Sequence, residues 1–76
     1  MKAEVRERHI RGALFLMRSH GDDLPDGMLD GVEEIAADFS RVKEKDDGID
    51  VSTFAQAIRE LCNDYGLPVP LPGEGI

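Results

Sequence analysis

The 76-residue sequence has a single cysteine, Cys62, and no tryptophan. One cysteine excludes an intramolecular disulfide and fits a reducing compartment. No apolar run approaches the ~20 residues of a membrane span. The apolar run near the N-terminus, GALFLM at 12–17, is shorter than a signal peptide's apolar region, and no small-residue cleavage pattern follows it. A cytoplasmic location is therefore expected. Basic residues are also scarce: seven acids and no base lie between Arg18 and Arg41. Finally, no spacing of residues specifies a chemistry.

A chain of this length is one domain, close to the lower limit for folding without metals or disulfides. Apolar residues make up 41% of it, which suffices for one modest core but not for a core plus a deep substrate pocket. That balance argues against an enzyme. Net charge is −7, unevenly spread: residues 1–20 hold five bases and two acids, whereas the remainder holds four bases and fourteen acids. Such a field repels nucleic acid and predicts no direct binding to it.

Hydrophobic spacing predicts three helices. In the central one, over 25–45, Met28, Val32, Ile35, Phe39 and Val42 fall on one face at ~100° per residue. Pro25 suits a first helical turn, where N–H groups lack intrahelical partners. Asp22, Asp23 and Asp26 crowd that end, and Lys43 and Lys45 occupy the other, as the helix dipole favours. A first helix over 2–19 carries Val5, Ile10, Ala13, Leu14, Leu16 and Met17 on a wide apolar arc. Glu4–Arg8 and Glu7–Arg11 are acid-first i, i+4 pairs. Gly12 weakens this helix locally, and Gly21 offers a positive-φ stop. A third helix over 52–65 has Phe54, Ile58, Leu61 and Tyr65 as its stripe, flanked by Val51, Ala57 and Cys62. Asp50, Ser52 and Thr53 compete for its N-cap, Thr53 with Gln56 at capping-box spacing. Gly66 followed by Leu67 predicts its end with an apolar clamp. The tail, 67–76, has alternate prolines that favour an extended conformation, with Leu67, Val69 and Leu71 either across the bundle or loose. The expected fold is all-α: a small three-helix bundle over 1–66 with an extended, proline-rich C-terminal tail.

Several site readings fail on spacing. A calcium loop over 42–54 would put Val42 at its first position and Thr53 at its twelfth, losing the opening Asp and the bidentate Glu. His20, Asp22, Asp23 and Asp26 match no closed metal signature and are explained by a solvated helix start. Cys62 beside an apolar stripe reads as a small buried hydrophobe, and a catalytic pair with His9 would need contact and a third, orienting group. Pro68, Pro70 and Pro72 alternate, so the P-x-x-P spacing is absent. No metal, cofactor or catalytic residue is expected.

Two surfaces remain. Phe15 falls on the polar side of the first helix, and with Arg8, Arg11 and Arg18 it forms a stripe of interface-type residues suited to a partner or to a second copy of the chain. Asp30, Glu33, Glu34 and Asp38 project from the central helix about 5–6 Å apart, close to the spacing of backbone phosphates. In size, acidity and lack of catalytic motifs the chain resembles phage-type inhibitors such as anti-restriction and anti-CRISPR proteins. That resemblance implies a small acidic protein that blocks a nucleic-acid-binding protein through a basic surface. The alternative is a homo-oligomeric helical adaptor or regulator using the Arg/Phe face. A carrier domain would need an Asp-Ser-Leu-type attachment motif, which does not occur. Of the two surfaces, the acidic one is the preferred working face.

Overall fold

The computed structural model describes residues 5–45 and 49–72. It is an all-α bundle of three helices: α1 (Glu7–Ser19), α2 (Met28–Glu44) and α3 (Val51–Asp64), with a single 3₁₀ turn, Gly21–Asp23, between α1 and α2. No strand occurs among the described residues.

The first two helices begin later than hydrophobic periodicity suggests. Arg6 is extended (φ −117°, ψ 166°) and serves as the N-cap of α1. Its backbone N–H donates to Nδ1 of His9 at 3.0 Å, the reach-back that a Glu or Gln supplies in a capping box. Pro25 is not the first residue of α2. Gly27 stands at its N-cap in the left-handed region (φ 88°, ψ −19°), and a helix cannot propagate through that conformation. The N–H of Met28 donates to the Pro25 carbonyl at 3.1 Å, and the Gly27 dihedrals suit the third position of a type II turn. Pro-Asp-Gly thus acts here as a turn rather than as a helix start. Gly21 does not take positive φ either; its smallness serves packing, because an added Cβ would lie 3.0 Å from Cδ2 of Leu29.

At α3 the cap is Asp50. Its carboxylate accepts from the Ser52 backbone N–H (3.1 Å), the Ser52 hydroxyl (2.6 Å) and the Thr53 hydroxyl (2.9 Å). An acceptor-only group with two oxygens outcompetes hydroxyls that must also donate. The helix ends in a full Schellman motif around Gly66 (φ 68°): Leu67 N–H donates to the Cys62 carbonyl at 2.9 Å and Gly66 N–H to the Asn63 carbonyl at 3.1 Å.

Ile10, Ala13, Leu14 and Met17 of α1, Met28, Val32, Ala36 and Phe39 of α2, and Ala55, Ile58 and Cys62 of α3 form the buried core. The centre of each face is shifted from the sequence stripe. On α2 Ala36 is buried while Ile35 and Val42 are half-buried, and on α3 Ala55 and Cys62 are buried while Phe54, Leu61 and Tyr65 are half-buried. The most completely buried side chains are nevertheless large ones, Ile10, Met28, Val32 and Ile58, with Ala13, Ala36 and Ala55 filling the space between them. Leu16, expected on the buried arc of α1, is instead 47% exposed. Phe39 and Phe54 meet edge to face, with centroids 5.1 Å apart and planes at 84°. Leu67, Val69 and Leu71 are half-buried against this core.

Candidate protein-binding face

Where α1 packs on α2, four of the residues that the sequence assigns to two separate surfaces come together: Arg11, Phe15, Arg18 and Glu33. Helices α1 and α2 run antiparallel, and ion pairs bridge them at both ends. Arg18, in the last turn of α1, donates from Nε to Oε1 of Glu33 near the start of α2 at 2.8 Å. At the opposite end Lys43 Nζ donates to Glu7, which also accepts from Arg11 Nη2 at 3.0 Å within α1. These groups remain about half exposed, so each pair contributes little, roughly 0–1 kcal/mol. Glu4 lies outside the described residues, so the expected Glu4–Arg8 pair does too; Arg8 itself is exposed.

The four carboxylates of α2 are not equivalent. Glu33 is engaged by Arg18, and Asp38 accepts from Arg41 Nη2 at 2.7 Å within α2. Asp30 and Glu34 are exposed and have no pairing partner among the described residues. A continuous row of four free charges, as phosphate imitation would need, is therefore halved.

Phe15 projects between the charged groups with 73% of its surface exposed. Together with Arg11, Arg18 and Ser40 it rims a shallow depression of about 130 Å³, floored by Leu14, Ala36 and Phe39 of the core. Arg18 belongs to both parts, lining the depression while holding Glu33. Arg18 thus joins the two candidate surfaces at one point, Glu33: an aromatic ring is flanked by guanidinium groups on α1, and Asp30 and Glu34 are exposed elsewhere on α2. Sequence periodicity placed Phe15 outside the core correctly but could not show that α2 lies beside it. The i, i+15 pairing of Arg18 with Glu33 is a tertiary contact with no local signature.

The groups considered for chemistry are engaged elsewhere. His9 Nδ1 is occupied at the start of α1. Cys62 is buried, and burial pushes its thiol up, away from the thiolate that a nucleophile requires. His20 Nδ1 lies 3.7 Å from Asp23 Oδ2, a separation beyond a hydrogen bond. No group of three or more His, Cys, Asp or Glu side chains placed to hold a metal occurs among the described residues. The 46–48 turn of the calcium-loop reading lies outside them. No described helix is long and apolar enough to cross a membrane.

Comparison with protein-family models, with curated proteins and with solved structures found no match.

Proposed function

We propose that this chain is a small, acidic, non-catalytic protein-binding module whose working surface is the α1–α2 face centred on Phe15. The observation that carries this reading is the 73% exposure of an aromatic ring set between Arg11 and Arg18. Aromatic and arginine side chains dominate binding energy at interfaces, where a desolvated ring contributes most. The raised thiol of Cys62 and the structural engagement of His9 support a role without catalysis.

Asp30 and Glu34, free on the adjacent helix, supply long-range attraction toward a basic partner. With the net charge of −7 they favour inhibition of a nucleic-acid-binding protein as the specific role, in a cytoplasm. The second reading, self-association through the same face, is favoured by the presence of both charge signs around Phe15.

Wild type and Phe15→Ala, each immobilised, would be compared for what they retain from a host extract, with retained proteins identified by mass spectrometry. The reading predicts at least one protein held by wild type and lost with Phe15→Ala. Identical retention by both would contradict it. Sedimentation of the free protein separates the second reading: a dimer that Phe15→Ala dissociates makes the partner a second copy.

A further inference from the structure

A cavity of about 320 Å³ lies where the end of α1, the start of α2, the end of α3 and residues 67–70 converge. It shares no lining residue with the Phe15 depression. Met17, Leu24, Met28, Cys62 and Val69 make its apolar walls, and its volume is at the lower end of the range for small-molecule sites, ~300–1,000 Å³. The polar lining consists of His20 and Asp23, whose side chains are 60% and 84% exposed and so stand at the mouth. No lysine or arginine lines it, and none occurs in the sequence between Arg18 and Arg41.

The interior and the mouth select different parts of one ligand. Walls of thioether, thiol and aliphatic groups offer no hydrogen bonds to a polar interior group but accept a flexible alkyl chain. At the mouth, the Asp23 carboxylate and the surplus of acids on the chain attract a cation and repel an anion. We propose that this cavity binds a linear alkylammonium amphiphile, with its chain between Met17 and Met28 and its ammonium group donating to Asp23. A fatty acid of equal length fits the same walls but meets the wrong charge at the mouth.

The two wall methionines give a direct readout. Butyl-, hexyl- and octylammonium, and octanoate, would be titrated into the full chain carrying ¹³C-methyl methionine, with signals assigned through Met17→Leu and Met28→Leu. Both wall signals should shift saturably, and affinity should rise about fourfold per added methylene. Octylammonium should bind about tenfold more tightly than octanoate, and Asp23→Asn, a change at an exposed position, should narrow that ratio about threefold. Circular dichroism of Asp23→Asn checks that its fold is intact. Unsaturable shifts, equal affinity for the two head groups, or a ratio unchanged in Asp23→Asn would overturn the proposal. None of these outcomes bears on the Phe15 face, which Phe15→Ala tests separately.

Discussion

Helix α2 has two packed flanks, built on different physics. Toward α3 the contact is close and apolar: a Cβ added at Gly31 would lie 2.8 Å from Cδ1 of Leu61, and Phe39 packs edge to face on Phe54. Toward α1 a buried apolar seam is edged by half-exposed ion pairs, Arg18–Glu33 and Lys43–Glu7, with Phe15 left outside it. The first flank holds the fold through dispersion and burial, which depend on fit. The outer edge of the second is held by charges in water, which contribute little and leave their side chains available. A chain this small can place a binding face only where substitution does not cost the core.

The largest expected effect breaks the first flank. Phe39→Ala should destabilise by about 3–5 kcal/mol, since it removes a buried ring at the junction of α2 and α3. Phe15→Ala should change stability by less than about 0.5 kcal/mol. Thermal melts followed by circular dichroism compare the two, and similar losses would erase the distinction between flanks.

Glycine substitutions give the next contrast. Gly27→Ala should cost about 1–2 kcal/mol, because L side chains strain at φ 88° and the new Cβ would lie 3.2 Å from the Tyr65 hydroxyl. Gly12→Ala, in the α1 helix with nothing within 4 Å, should instead stabilise by about 0.5–1 kcal/mol. Denaturant midpoints would show the opposite signs.

Asp50 adds a pH dependence at the start of α3. Hydrogen bonds from the Ser52 and Thr53 hydroxyls, then from their backbone N–H groups, hold its carboxyl below the ordinary range. A depressed value means that the cap's contribution is complete above the unfolded carboxyl's pKa, near ~3.9, and is lost as pH falls through the lower folded value. Asp50→Ala should lower the melting temperature at neutral pH, and the gap from wild type should close in acid. A gap that does not narrow as pH falls below the ordinary carboxyl range would show the carboxylate to be uninvolved.

The smallest expected effect concerns the outer edge of the second flank. A double-mutant cycle on Arg18→Ala and Glu33→Ala should give a coupling of about 0.2–1 kcal/mol that salt diminishes. A coupling of several kcal/mol would mean that this edge too is built for stability.

The existence and order of the helices could be read from the sequence, because Val32 with Phe39, and Ile10 with Leu14 and Met17, repeat at helical spacing. Helix ends were harder to read. Pro25 looked like a start because proline suits a first turn, yet the adjacent Asp26-Gly27 made a turn, and the left-handed glycine set the boundary. The Gly66 stop was plain because Gly, Leu and Pro in succession all oppose continuation. Leu16 misled because a helical arc drawn from periodicity has no neighbours; which side is covered depends on where α2, α3 and the tail lie. The same ignorance hid the contact between the two candidate surfaces. Arg18 and Glu33 are fifteen residues apart, and only the antiparallel packing of α1 on α2 joins them.

The central claim is that Phe15 anchors a partner while the free carboxylates of α2 guide it in. Glu33 is a poor test residue, since reversing it also frees Arg18; Asp30 and Glu34 are the clean pair. The decisive measurement is the association and dissociation kinetics of a retained partner with wild type, Phe15→Ala and the double reversal of Asp30 and Glu34 to Lys, across a salt series. The account predicts a dissociation rate raised about thirtyfold or more by Phe15→Ala, equivalent to ~2 kcal/mol, with association nearly unchanged. It predicts a slower, less salt-dependent association for the charge reversal. Dissociation unaltered by Phe15→Ala would contradict it.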